Sequence, residues 1–158
     1  MRFFLLILAL SVGFIWSSTI DKDQKKEENA LKNAKMILEK MDKSLESHDH
    51  KEFLKMHADN FRFKFCKNTG SSVQDLKKIL ETDPNLSQTV TSKHNVISNP
   101  AESGVTKVSG NQWKFRYEEH LLLKNKDVYR TEGTINFIDL GSHVMIISAD
   151  EECPDKIF

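Results

Sequence analysis

Residues 48–66 read HDHKEFLKMHADNFRFKFC and contain the change from helix to strand that decides the fold. Asp49, followed three residues later by Glu52, resembles a capping box and predicts a short helix that closes near residues 58–60. Phenylalanines then occupy every second position from residue 61 to residue 65, with polar residues between them. This alternation predicts a strand with one buried face.

The segment before residue 48 predicts a long amphipathic helix. Its apolar residues recur at spacings of three and four, and lysines and glutamates fill the other faces. The repeat ends after two heptads, which favours a core-facing stripe over a coiled coil. Residues 20–30 form a charged leader, expected to be flexible or to be the solvated start of this helix. The stripe consists of Leu31, Ala34, Ile37, Leu38, Met41 and Leu45.

Residues 1–19 read MRFFLLILALSVGFIWSST and are typical of a cleavable signal peptide, with Arg2, an apolar run and small residues at its end. The alternative is a retained anchor, but the apolar run is short for a ~30 Å hydrocarbon layer, which needs about 20 residues. Cleavage near residues 17–19 and near residues 11–13 both remain open. We expect a secreted, extracellular protein with no membrane contact after cleavage.

Residues 31–153 are expected to form one domain, followed by a C-terminal tail at 154–158. Residues 68–72, which include Gly70, are predicted to form a turn, and Ser72 is placed to cap a third helix, which Asp83-Pro84 ends. Only strand patterns and short turns follow, so we predict an α+β fold with three N-terminal helices packed on a mostly antiparallel sheet. The predicted later strands lie at 89–97, 105–108, 113–123, 128–138 and 143–149.

The composition and the motifs of the sequence give no support to several classes of function. Basic and acidic residues number 23 each, and the predicted signal peptide removes only Arg2 from this balance. Such a surface gives no electrostatic reason to expect nucleic acid or an anionic membrane as a partner. The sequence lacks a GxSxG elbow and a glycine-rich phosphate loop, so we expect neither nucleophilic hydrolysis nor a bound cofactor.

The two cysteines, Cys66 and Cys153, favour a disulfide in an oxidising compartment, with a pair of buried free thiols as the alternative. Asn85-Leu86-Ser87 is an N-glycosylation sequon, which makes Asn85 a candidate glycan site.

The order of elements resembles the nuclear transport factor 2-like superfamily, which includes the SnoaL-like polyketide cyclases. The resemblance rests on residues 48–66 and on SVQDLKKIL at 72–80, and is nearest to small secreted members from nematodes. It implies a strongly curved sheet that forms a half-open cone closed by three helices. Members use the cone as a pocket for apolar ligands or as a dimer scaffold. Cystatin-like domains are an alternative, although they usually have one principal helix.

The predicted strand at 113–123 carries the main candidate residues. Alternation places Glu119 on its apolar face, where desolvation would raise its pKa and suit it to acid–base chemistry. A β-bulge at Glu118-Glu119 would instead turn Glu119 to solvent. The candidate ligand-binding residues are Trp113, Phe115 and Tyr117 on this strand and Tyr129 on the next.

The histidines do not predict a metal site. His48, His50 and His57 are close in sequence, but their spacing matches no known zinc motif. We expect His94, His120 and His143 to line the outer faces of their strands.

Three hypotheses for function follow. The first is a non-enzymatic domain whose apolar pocket or sheet face binds a small hydrophobic ligand or a protein partner. The second is a SnoaL-type lyase or isomerase with Glu119 as the base and Tyr117 or Tyr129 as a hydrogen-bond donor. The third is an extracellular homodimeric scaffold. A buried Glu119 that faces a cavity beside a tyrosine would favour the second.

Overall fold

The computed structural model describes residues 3–66, 68–98, 104–153 and 155–157, and the side chains within these ranges from residue 22 to residue 153. The predicted signal peptide, residues 1–19, therefore lies outside the described side chains. In the described part of the chain, no helix is long and apolar enough to cross a membrane.

The described chain folds as α-helices packed against one mixed β-sheet. A 3-10 turn, Leu86–Gln88, leads into the third strand. The α-helices are α1 (Phe3–Ser47), α2 (Lys51–Leu54) and α3 (Val73–Thr82), and the strands are β1 (His57–Phe65), β2 (Asn68–Gly70), β3 (Thr89–Val96), β4 (Val105–Ser109), β5 (Gln112–Leu123), β6 (Val128–Asp139), β7 (Val144–Glu151) and β8 (Asp155–Ile157).

Helix α1 packs its apolar stripe on strands β3 and β4. Ala34, Ile37 and Leu38 are buried because they recur on the face turned to the sheet. The charged segment at 20–30 is helical, with exposed lysines and a fully buried Ala30 at its end. Of the two alternatives for this segment, the structure shows the solvated start of the helix.

The sheet follows the order β2-β1-β7-β6-β5-β3, with β4 beside β5 and β8 beside β6. Consecutive strands pair in antiparallel fashion from β4 to β7, as predicted, whereas β3 pairs with β5 instead of β4 and β1 pairs with β7 in parallel. The antiparallel prediction missed this pairing because alternation within β1 shows that it has a buried face but not which strand lies beside it.

Three local predictions were wrong. Helix α2 ends at Leu54 rather than near 58–60, because the Ile146 amide donates to the Met56 carbonyl at 2.7 Å and draws the next residues into the sheet. Its N-cap is His50 without a side-chain cap, while Asp49 accepts from the Lys51 amide instead. Part of the predicted turn at 68–72 is strand β2, which pairs with β1.

The residues predicted as a C-terminal tail also contribute to the sheet, since 155–157 pair with β6 as β8. The predicted disulfide is present between Cys66 and Cys153, 87 residues apart. It joins the end of β1 to the segment after β7, and closing so long a loop stabilises a fold by about 4 kcal/mol in the chain-entropy model.

Candidate functional site

The sheet and helices enclose two adjoining cavities that share Phe65, Leu86, Glu119 and Glu151 in their walls. The outer cavity is half open and holds about 270 Å³. The inner cavity, of about 50 Å³, reaches helix α1 and has mostly apolar walls. The outer cavity is lined by Phe65, Cys66, Asn68, Asp83, Asn85, Leu86, Glu119, Leu121, Tyr129, Thr131 and Glu151.

Glu119 faces both cavities because strand β5 is regular at this point. Its pairing with β6 runs from Gln112 to Leu122 without a register shift, so the alternative of a β-bulge at Glu118-Glu119 is wrong. Buried and exposed residues alternate along the strand, and Glu119 is only 6% exposed. The sequence pattern therefore placed this carboxyl group on the correct face.

A buried histidine links Glu119 to helix α1. The His94 Nε2 lies 2.9 Å from Glu119 Oε1, and His94 Nδ1 lies 2.6 Å from Asp42 Oδ1. Ser92, two residues earlier on β3, donates its hydroxyl to the same Asp42 oxygen at 2.8 Å. We call this arrangement the Asp42–His94–Glu119 chain.

The electrostatics of this chain keep His94 positively charged. Burial alone lowers the pKa of His94, but its hydrogen bonds and charge attraction to Asp42 and Glu119 outweigh burial and raise the pKa to about 9. With both ring nitrogens donating to carboxylates, the imidazolium fixes the direction of Glu119. Oε2 of Glu119 has no hydrogen-bond partner among the described residues. Every fully buried polar side-chain atom in the described part of the chain has a partner, so Oε2 is not fully buried and faces the cavity.

A second carboxyl group, that of Glu151, lies in the same walls. Burial, followed by the negative charge of Glu119, raises the pKa of Glu151 to about 8, against the lowering effects of Tyr117 and His94. The Tyr117 hydroxyl donates to Glu151 Oε1 at 2.9 Å, and burial keeps the pKa of Tyr117 well above 10. Glu151 is therefore a protonated acid at neutral pH.

Gly133 on β6 makes room for this contact. It lies opposite Tyr117, and a Cβ atom added there would come within 2.5 Å of the tyrosine Cζ and Oη atoms. Only glycine leaves space for the ring to pass over β6 toward Glu151 on β7.

The other predicted ligand-binding residues separate into two groups. Tyr117 lines the inner cavity and the half-buried Tyr129 lines the outer cavity. Trp113 and Phe115 are buried in the core, and neither lines the two cavities that hold Glu119. Asn85 is half-buried at the outer cavity, where its backbone amide donates to Asp83 Oδ1.

The predicted position of His94 on an outer face was wrong, whereas His120 and His143 are exposed. Strand β3 carries polar residues on both faces, so alternation alone does not show which face is buried. His57 is buried between Phe53 and Phe61, and burial lowers its pKa to about 4. Within the described residues, no group of three or more metal-ligating side chains converges.

Sequence reasoning also missed Asp42 and Glu151. Asp42 lies on the polar side of the helix pattern, where a charged residue is ordinary, and the last strand was predicted to end at Ala149. The alternation along β7 could have identified Glu151. Ala149 faces the core, and the residue two positions later on the same face of the strand is Glu151.

No protein-family profile and no curated protein matches the sequence. Several solved structures, however, resemble its fold. A nuclear transport factor 2-like protein from Shewanella oneidensis aligns with a TM-score of 0.62 at 7% identity, over 77% of this chain and 97% of that one. A nuclear transport factor 2-like protein from Anabaena variabilis aligns with a TM-score of 0.55 at 20% identity, over 78% of this chain and 87% of that one.

A protein from Novosphingobium aromaticivorans, provisionally named a scytalone dehydratase, aligns at 0.62 and 8% identity, over 85% of this chain and 89% of that one. At such low identities these likenesses concern the fold alone. The chain has the nuclear transport factor 2-like fold, which confirms the resemblance predicted from residues 48–66.

Proposed function

We propose that this chain, as a protein of nuclear transport factor 2-like fold, binds a small molecule in a half-open cone and catalyses proton transfer on it, as a lyase or isomerase. The observation that carries the proposal is a pair of carboxyl groups in one cavity wall with different surroundings. Glu119 is held by an imidazolium, and Glu151 is kept protonated by burial and by the charge of Glu119. Two such groups are the usual arrangement for a base and an acid.

In this mechanism Glu119 Oε2 takes a proton from a carbon atom of the substrate. The electron pair of that C–H bond moves into a new double bond, and the displaced pair passes to an oxygen or to a leaving group. Glu151 gives its proton to the atom that receives the pair. Glu119 ends protonated and Glu151 ionised, and exchange with water at the open side of the outer cavity restores both.

The surrounding residues support this chemistry. His94 restrains Glu119 at one oxygen and leaves the other toward the cavity, while Asp42 and Ser92 hold His94. The Tyr117 hydroxyl orients the Glu151 carboxyl group. Positioned groups in a water-poor site lower the barrier because little reorganisation accompanies the reaction.

A second candidate is binding without chemistry, the first of the sequence-based hypotheses. The apolar walls of the inner cavity favour it, because they offer a place for a small hydrophobic ligand. The two candidates differ in whether Glu119 acts as a base.

The test uses 5-nitrobenzisoxazole, a small carbon acid that opens to a coloured phenolate when a base removes its C–H proton and the N–O bond breaks. We expect the purified chain to accelerate this elimination, and Glu119→Gln to lose at least about 100-fold of the acceleration. Glu118→Gln is the matched control, since its side chain lies on the opposite face of β5. Equal rates for the two variants, or no acceleration by the parent chain, would leave binding without chemistry as the function.

We also propose that the chain is secreted through its N-terminal segment. The Cys66–Cys153 disulfide is compatible with an oxidising compartment. Native mass spectrometry of protein released from eukaryotic cells would give the N-terminus, any glycan on Asn85 and the oligomeric state. A released protein that begins at residue 1 would contradict the predicted signal peptide, and a stable dimer would favour the scaffold hypothesis.

A further inference from the structure

The charges around the outer cavity point to the class of molecule that it binds. The carboxylates of Asp83 and Glu119 line it beside the protonated, uncharged Glu151, and its described lining includes no lysine, arginine or histidine. The charge of His94 does not offset them all, because the His94 side chain is fully buried and already lies between Asp42 and Glu119. The described walls therefore carry a negative excess toward the cavity.

A second observation concerns the oxygen of Glu119 that is open to the cavity. The side chain of Glu119 is 8% exposed, and its Oε2 faces the cavity without a partner among the described residues. Because the rest of this side chain is buried, its open oxygen is placed to accept a hydrogen bond from a donor or a cation in the cavity. Asp83, which also lines the outer cavity, adds a negative charge that raises the pKa of Glu151.

The remaining walls fit an apolar body. Phe65 and Tyr129 contribute aromatic rings to the outer cavity, and Leu86 and Leu121 contribute aliphatic surface. Aromatic faces attract cations as well as apolar groups. The outer cavity of about 270 Å³ and the inner cavity of about 50 Å³ have room for a single ring with a short side chain.

We propose that the ligand is a small organic cation, a protonated amine on a single-ring apolar body, whose ammonium group is attracted by the carboxylates of Asp83 and Glu119. The same charges repel anionic molecules such as carboxylates and phosphates. This inference rests on the proposed binding site but does not depend on catalysis.

The experiment compares three probes of nearly equal shape by isothermal titration at pH 7 on the disulfide-bonded chain. Benzylamine is the cation, benzyl alcohol the neutral probe and benzoate the anion. We expect benzylamine to bind at least about tenfold more tightly than benzyl alcohol, and benzoate to bind more weakly than both. Equal affinities, a preference for benzoate, or no binding of any probe at millimolar concentration would overturn the inference.

A matched pair of variants assigns the preference to the cavity. Asp83→Asn keeps the Oδ1 acceptor that receives the amides of Asn85 and Leu86, so the local turn is retained while the charge is lost. We expect this substitution to weaken the binding of benzylamine about threefold or more and to leave the affinity for benzyl alcohol unchanged. Asp150 is next to Glu151 but does not line the outer cavity, so Asp150→Asn should change neither the benzylamine affinity nor the benzyl alcohol affinity. An unchanged benzylamine affinity in Asp83→Asn would overturn the assignment.

The elimination assay separates the two proposals. Base catalysis without a preference for cations would refute this inference alone, whereas a preference for cations without base catalysis would refute the proposed reaction alone.

Discussion

Glu118 and Glu119 are neighbours in strand β5, yet they lie in opposite environments. On the outer face, Glu118 lies 3.2 Å from Arg130 and 3.7 Å from His120, all with substantially exposed side chains. On the inner face, Glu119 contacts His94, whose side chain is fully buried. The same residue type thus belongs to a surface ladder of charges and to a buried chain of charges.

The two arrangements differ in what they contribute. Exposed pairs add little stability, since water and salt screen them and long side chains lose freedom on pairing. A buried cluster bears the desolvation of every charge and is stable only while each charge keeps its partner. The outer charges therefore maintain solubility, while the inner ones concentrate perturbed pKa values in a cavity, as functional sites often do.

The largest effect is expected from His94→Leu, compared with His120→Leu on the outer face. The inner variant leaves Asp42 and Glu119 without their shared cation, and we expect the free energy of unfolding to fall by about 3–5 kcal/mol. The outer variant should stay within about 0.5 kcal/mol of the parent. Urea unfolding of the disulfide-bonded proteins measures both. A loss below 1 kcal/mol for His94→Leu would contradict a coupled buried chain.

The next effect is a loss of stability between pH 6.5 and pH 9. His94 has a pKa of about 9 in the folded protein against 6.5 when unfolded, so its contribution is complete below pH 6.5 and is lost as the pH rises through 9. The raised pKa of Glu151 acts in the same direction. We expect the free energy of unfolding to fall by on the order of 3 kcal/mol from His94.

Urea unfolding at several pH values checks this trend, and the His94→Leu variant serves as its control because it lacks the histidine contribution. His57 has a lowered pKa of about 4, so it changes the stability only below pH 6.5 and does not contribute between pH 6.5 and pH 9. A flat profile in the parent protein would show that the outer and inner charges behave alike.

A smaller effect is expected from Gly133→Ala, compared with Thr134→Ala at the neighbouring position. The new methyl group at residue 133 would meet the Tyr117 ring, and overpacking of this kind costs about 1–3 kcal/mol. Thr134 lies on the other face, so its replacement should cost less than about 1 kcal/mol. Thermal unfolding compares them. If the two variants lose the same stability, the ring does not require the glycine.

The smallest effect concerns the Tyr117 hydroxyl. Tyr117→Phe removes its hydrogen bond to Glu151 and should cost about 1 kcal/mol. Tyr129→Phe, at the half-buried edge of the outer cavity, is the control and should stay within about 0.5 kcal/mol. Urea unfolding measures both, and a larger loss for Tyr129→Phe would place the important hydroxyl at the cavity edge instead.

The sequence alone determined what depends on local periodicity and on composition. Alternation along β5 placed Tyr117 and Glu119 on the buried face, because successive side chains of a regular strand point to opposite sides. The buried stripe of α1 was predictable in the same way, because side chains of a helix return to one face about every 3.6 residues. With only two cysteines, the disulfide had one possible pair.

Only the tertiary structure decided which elements lie side by side. Asp42 and His94 are 52 residues apart, and His94 and Glu119 are 25 apart, so no local pattern connects them. The parallel pairing of β1 with β7 is equally remote in sequence. Periodicity tells which side chains share a face, whereas packing across the whole chain selects the facing partner. For this reason the base candidate was predictable, and the histidine and second carboxyl group beside it were not.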